Sequence, residues 1–280
     1  MIQDLASDIE PIPLQRARGA GRIAVGADGP VTRLARLYQD GCAKIRLPTD
    51  HSAKTLEAVL INSAGGLTGG DRMSWQVDVD AGAALTLSTQ ACEKVYRARD
   101  GRAEVAVSLN AEAGARIDWL PQETILFDGG ALARTLTAEL AAGARLLAVE
   151  AVILGRTAMA ETVRVGELRD RWRIRREGKL VFADDLHFGG DMTALTALTA
   201  LAPVLGGAAA FASLLLVAED APRFLAPLRA VLSPGGGASA FDGKLFCRIV
   251  AKDGLALRRI LPPAIAALRD GEPCPRVWGL

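Results

Sequence analysis

Apolar and polar residues alternate through most of the first two thirds of the chain. Over 73–80, Met73, Trp75, Val77 and Val79 fall on one side, and Ser74, Gln76, Asp78 and Asp80 on the other. Val105, Val107 and Leu109 repeat the pattern, and Ala115, Ile117 and Trp119 repeat it again. A period of two predicts half-buried strands. The tripeptide Ala-Gly-Ala stands at 81–83, 113–115 and 142–144, each time between two such segments. A glycine at a fixed place between strands predicts a tight turn at positive φ. A recurrence of about 30 residues predicts similar β units stacked on one another, as a β-solenoid or an elongated double-layer sheet.

The last third has a different rhythm. Residues 221–232 read as an amphipathic helix, 244–251 as a strand, and 254–271 as a second helix bent or interrupted at Pro262-Pro263. The expected architecture is mainly β: a solenoid-like stack over 20–190, then a mixed α/β part over 191–280 with a small helical layer, all in a single domain.

Composition narrows this picture. Half the residues are hydrophobic and 5% aromatic, which excludes disorder and suits a narrow interior filled by small side chains. Thirty-three basic and 32 acidic residues leave a net charge of +1, so no chain-wide field favours nucleic acid or an anionic membrane. Residues 192–218 carry no charge, but Pro203, Gly206 and Gly207 break the run. A helix or loop near 193–205 and a buried strand over 211–217 are expected there instead of a membrane span. The first residues carry acids and no apolar core, so a secretory leader is not expected. Cys42, Cys92, Cys247 and Cys274 are too scattered for a CxxC or zinc-ribbon pattern, and reduced cytoplasmic thiols are expected.

Four segments hold candidate chemistry. The run from Asn62 to Asp71 contains Gly65, Gly66, Gly69 and Gly70, yet lacks the lysine of a phosphate loop and precedes a strand where nucleotide loops need a helix. Asp71 would cap turn amides there, or touch a cation beside bare backbone. In Thr89–Arg97, Cys92 reads as a buried or half-buried thiol, because His51 and His187 are the only imidazoles available to activate a nucleophile. Glu123 and Asp128 flank an apolar run and offer the paired carboxylates of a glycan hydrolase or lyase, the rival reading, although stacking aromatics are scarce. Arg169, Arg171, Arg173 and Arg175 share one strand face, a solvated face or a partner surface. Further on, Asp185 and His187 share a face and Asp184 takes the other, a weak metal signal.

Taken together, the segments resemble the UreD (UreH) family of urease accessory proteins. The resemblance rests on Leu60–Asp71, Thr89–Arg97, Trp119–Phe127, Leu154–Arg156 and Pro275–Trp278, and spans nearly the whole chain. It implies a right-handed β-superhelix with a few helices and no enzymatic activity. It also implies binding to apo-urease, with UreF and the GTPase UreG as partners, and nickel delivery to urease in the cytoplasm. No tightly bound cofactor is implied, only transient Ni2+. Spaced carboxylates would pass that ion along where a thiolate or imidazole cage would hold it. Asp71 and Asp184 are the first candidates for such a path, followed by Glu123, Asp128 and Glu150. The arginine row and Trp278 are candidates for partner surfaces.

Overall fold

The computed structural model describes residues 15–48, 55–156, 159, 161–191, 205–232 and 234–279. Two sheets face each other. Across the first run β2 (Val31–Gly41), β1 (Arg18–Asp28), β5 (Arg72–Val79), β8 (Ala103–Ala111), β11 (Ala131–Leu140), β13 (Val165–Arg176) and β14 (Lys179–Asp191). Across the second run β3 (Ala43–Arg46), β4 (Leu56–Asn62), β6 (Ala84–Thr89), β9 (Arg116–Leu120), β12 (Arg145–Leu154), β15 (Ala210–Val217), β17 (Lys244–Ala251) and β16 (Gly236–Phe241). The short strands β7 (Glu93–Val95) and β10 (Thr124–Leu126) continue the second sheet alongside the end of β12.

The chain winds as a solenoid. β5 crosses to β6, β8 to β9 and β11 to β12, and like strands stack in parallel register. Trp75 lies beside Val107, Val107 beside Leu136, and Leu136 beside Trp172, forming one ladder of the core. The three crossings are the Ala-Gly-Ala turns. Gly82, Gly114 and Gly143 hold φ values of 70°, 66° and 66°, which a side chain would resist. The alanines after them, Ala83, Ala115 and Ala144, are buried at the turn. The amide of Gly82 donates to Ala113 and that of Gly114 to Ala142, so the turns also stack.

Behind the second sheet lies a helical layer: a 3-10 turn over Ala221–Phe224, α1 (Leu225–Val231), α2 (Gly254–Ala267) and a last 3-10 turn over Arg276–Gly279. There are thus two apolar cores, one between the sheets and one between the second sheet and the helices. Their joint presence changes the expectation of half-buried strands. β5 and β8 alternate as expected, but β9, β12 and β15 are buried on nearly every residue because both faces are covered.

Other expectations shift in detail. β15 matches the predicted strand over 211–217, while most of the helix or loop expected near 193–205 falls outside the described residues. The first predicted helix opens as a 3-10 turn at Pro222, with α1 following. The second is not interrupted: α2 runs through Pro262 and Pro263. Proline's fixed φ fits a helix, and the lost amide bonds are offset by burial of Leu257, Leu261, Ala264 and Ile265. The Asp253 side chain caps its start by accepting from the amide of Ala256 at 2.7 Å. β16 starts at Gly236, inside the glycine run 235–237. Among the described residues, no helix is long and apolar enough to cross a membrane.

Candidate functional site

Among the described residues the space between the sheets is largely apolar, with one fully buried charged cluster and a less buried ion pair, Asp184 with Arg248, at one end. Arg134 of β11 stands in register with Leu132, Leu136 and Ala138, so its side chain points inward. Its Nη2 lies 2.6 Å from Oδ2 of Asp170 on the neighbouring β13, and its Nη1 lies 2.5 Å from Oε2 of Glu150 on β12, in the opposite sheet. Nη1 also donates to the Thr124 hydroxyl at 3.2 Å. Each carboxylate has a second, independent donor: the indole of Trp119 reaches Glu150 at 2.9 Å, and the indole of Trp172 reaches Asp170 at 3.1 Å. All six side chains are buried. Burial pushes the Glu150 carboxyl up to about 7, against the pull of Arg134 and with help from the Asp170 charge. Burial also works against the Arg134 cation, but Asp170 and Glu150 outweigh it and hold the guanidinium firmly charged.

A second inward acid stands at one mouth of this space. Glu93 accepts from the Asn62 amide at 3.1 and 3.2 Å and has no ion-pair partner among the described residues. Burial raises its carboxyl to about 7. It lines a pocket of about 250 Å³ with Asn62, Trp75 and Cys92.

The residues singled out from the sequence disperse. Of the five acids, only Glu150 belongs to the inter-sheet cluster. Asp71 is buried and accepts the backbone amides of Ala17 and Thr68, both at 2.8 Å, so it ties the glycine loop to the start of β1. That loop needs glycine for space as well as for φ: a Cβ on Gly69 would meet the Asp100 carbonyl at 2.0 Å, and one on Gly66 the Tyr96 ring at 2.4 Å. Gly65 and Gly70 sit at positive φ in the same loop. Asp184, on the edge strand β14, pairs with Arg248 of β17 at 2.6 Å and links the two sheets at one end of the stack. Burial raises its carboxyl, with Arg248 opposing.

Glu123 and Asp128 do not face each other across a cleft. Glu123 is fully buried on the helix side of the second sheet, held by Nε and Nη2 of Arg258, both at 2.8 Å. Asp128 caps a turn at the rim, accepting from the amides of Arg164 and Val165 and pairing with Arg97 at 2.7 Å. The backbone bonds come first in holding its carboxyl below the usual range. Cys92 is half-buried, and burial beside Glu123 raises its thiol to about 11, so it is no thiolate nucleophile.

The arginine row lies on the outer face of the first sheet. Arg169 pairs with Glu167 at 2.6 Å, Arg171 and Arg173 with Asp185 at 2.8 and 2.6 Å, and Arg175 with Glu139 at 3.5 Å. Arg169 and Arg171 rim an open groove of about 880 Å³ whose floor includes Ser74, Ala106 and Thr135. Asp185 and His187 share this outer face, opposite Asp184, as the alternation predicts. Trp278 is a correction: it is not on a surface but buried in the helix-side core, its indole donating to the Leu120 carbonyl at 3.1 Å and its ring beneath Arg258. The last turn folds back between α2 and the second sheet, and that covers the ring.

Sequence reading missed Arg134, Asp170 and Glu93. A signal was present for the first two. Arg134 interrupts an apolar register, and Asp170 shares a strand face with Trp172 and Ile174, opposite the arginine row. A charged residue on the inner face of a strand needs a buried partner.

The sequence matches a known family over nearly its whole length. The UreD urease accessory protein model matches residues 17–279. The chain belongs to the UreD family. It is 53% identical over 267 residues to urease accessory protein UreD of Rhizobium leguminosarum bv. viciae, covering 95% of this chain and 96% of that one. It is 50% identical over 271 residues to the UreD of Agrobacterium fabrum, covering 97% and 94%. Against the UreD of a Chelativorans strain the identity is 48% over 282 residues and the full length of both. A UreD chain serves urease maturation as an accessory protein and is not itself a catalyst. The rival reading of a glycan-cleaving enzyme is thereby overturned, and the separation of Glu123 from Asp128 agrees.

Proposed function

We propose that this UreD chain is a cytoplasmic scaffold that binds apo-urease together with UreF and UreG and passes Ni2+ to the urease site through the space between its two sheets. The observation that carries this reading is the pair Glu150 and Asp170, carboxylates that share Arg134 and are each held by an indole donor inside a largely apolar interior. Among the described residues, no group of three or more His, Cys, Asp or Glu is gathered as a metal cage. Two oxygen donors bind Ni2+ loosely compared with thiolates or imidazoles, which suits transit over storage. Glu93, unpaired at one mouth, and Asp184, at the far end of the stack, offer carboxylates on either side of the pair. Nickel here is cargo; no resident cofactor is proposed. The outer groove with its arginine row is a reasonable face for a partner, since arginines rim it and each is held in place by an acid.

The test is coexpression of urease with its accessory proteins. Glu150→Gln is expected to lower nickel-dependent urease activation at least tenfold while leaving copurification with UreF and apo-urease unchanged. Full activation by Glu150→Gln and by Glu150→Gln/Asp170→Asn would end the proposal. Asp71→Ala is a poorer probe, because it frees two backbone amides and disturbs the loop itself.

A further inference from the structure

The first sheet ends in two edge strands that are finished differently. On β14, Asp185 is held by Arg171 and Arg173, and Asp184 by Arg248. On β2 the residues from Arg33 to Tyr38 are all exposed, and they include Leu34, Leu37 and Tyr38 at 40%, 37% and 49%. An edge strand offers a row of main-chain groups without ladder partners, and an apolar one invites another strand. Part of β2 is blunted. Its register with β1 shifts between Ala24 and Val25, so Ala35 is an extra residue that kinks the strand. From Arg36 to Gly41 the register is unbroken.

The ladder decides which groups of that stretch face the open side. The Cys42 amide donates to the Arg18 carbonyl at 2.9 Å, and hydrogen-bonded pairs alternate with non-hydrogen-bonded ones along an antiparallel ladder. Arg36, Tyr38 and Asp40, opposite Ala24, Arg22 and Ala20, therefore turn their main-chain groups toward β1. Leu37 and Gln39 turn theirs to the open edge. Side chains alternate too: Asp40 lines the outer groove, so Arg36 and Tyr38 share the outer face and Leu37 takes the inner one. Arg36 and Asp40 have no ion-pair partner among the described residues.

We propose that this edge is a self-association surface, pairing antiparallel with β2 of a second copy about a two-fold axis at Tyr38. In that register Arg36 stands opposite Asp40 of the second copy on both sides of the axis, so the unpaired charges match each other. Leu37 stands opposite Gln39 of the second copy, and each such pair exchanges both of its main-chain hydrogen bonds. Tyr38 meets its counterpart in a non-hydrogen-bonded pair, the kind in which side chains come closest. The two Leu37 side chains lie diagonally across the axis on the inner face. Moving the axis to Leu37 or Gln39 sets Tyr38 opposite Arg36 or Asp40 and leaves a charge unmatched. A strand that complements itself is what a closed two-fold contact requires, and an unrelated partner would need no such self-matching. The pairing uses neither the inter-sheet acids nor nickel, so it stands or falls independently of the nickel route.

The experiment is cysteine crosslinking of the full-length chain, coexpressed with urease and the other accessory proteins and oxidised mildly. Tyr38→Cys places two thiols on residues about 4.5 Å apart at Cα, within reach of a disulfide. It should give a crosslinked dimer. The wild type, with its native cysteines, should not. Nor should Arg33→Cys, whose copies stand on the order of 30 Å apart in this register. Adding Arg36→Asp to Tyr38→Cys sets acid against acid and should lower the crosslinked fraction about fivefold. Adding Arg36→Asp and Asp40→Arg together should restore it. Failure of Tyr38→Cys to crosslink, equal crosslinking by Arg33→Cys, or a yield indifferent to Arg36→Asp would overturn the self-pairing. A charge swap that does not restore the dimer would overturn this register. A crosslink from Tyr38→Cys to a different protein would give the edge to that partner and overturn the proposal as well.

Discussion

The second sheet buries acids on both of its faces, and the two faces compensate them differently. Toward the helices, Asp118 is bound by Arg116 at 2.8 Å and by Arg269 at 3.0 Å, Glu272 shares both arginines, and Glu123 is bound by Arg258. Three acids meet three arginines, and carbonyls of Pro273 and Trp278 take up further guanidinium hydrogens. Toward the first sheet, Glu150 and Asp170 share Arg134 alone. The helix-side set has the character of a staple: every charge is matched, and Arg258 of α2 with Arg269 and Glu272 just beyond it reach the sheet, so the matching also fastens the helical layer. The inter-sheet set has one guanidinium for two carboxylates, burial raises one of them, Glu150, to about 7, and neutral indoles donate to both. Burial alone therefore does not separate structural acids from functional ones. On the proposed nickel route, the local balance of charge would do so.

The comparison breaks first if the helix-side pairs are not energetically important. Arg258→Ala leaves Glu123 fully buried without its cation and should cost about 3 kcal/mol in urea-induced unfolding. A cost near that of an exposed pair, below about 1 kcal/mol, would remove the distinction drawn between staple and site.

A smaller effect sharpens the other side. The Glu150 carboxyl is raised from the usual 4.5 to about 7, so the folded chain binds its proton more tightly than the unfolded chain does. Its contribution to stability is then full below about pH 4.5 and is lost as the pH rises through about 7. Glu93 is raised to about 7 for the same reason of burial and acts in the same direction. Melting temperatures of the wild type should fall relative to Glu150→Gln between about pH 5 and about pH 8, and relative to Glu93→Gln as well. Parallel pH curves for the wild type and both variants would show that the inter-sheet acids are as well compensated as the helix-side ones.

The smallest effect belongs to the outer face. Arg171 pairs with Asp185 where both side chains are more than half exposed, at 63% and 53%. Arg171→Ala should leave the unfolding midpoint unchanged. If the groove binds a partner, the same variant should weaken copurification with UreF or apo-urease, and an unchanged pull-down would argue that this face is only solvated.

Much of this molecule was open to reading before any coordinates. The alternation at 73–79 and 103–111 marked strands and their inner faces, and the Ala-Gly-Ala recurrence marked the crossings of the solenoid, because a tight turn at positive φ selects glycine wherever it occurs. The missing lysine and the strand after the glycine run ruled out a nucleotide loop. These are local properties: periodicity and turn chemistry are written in neighbouring residues. The site was only half legible. Glu150 could be suspected as a charge in an apolar strand, and Arg134 carried the same signal, but nothing in the chain joined them. Likewise Trp278 read as a surface anchor until the last turn folded beneath α2. Alternation gives the face a residue occupies, not the residue that meets it across the roughly 10 Å between packed sheets. Sequence by itself determined that this chain would be a stacked-β protein with charges in its inner registers. Tertiary packing alone decided which charges share a dry space, and so which acids lack a full complement of cations, because that balance is set by contacts between layers.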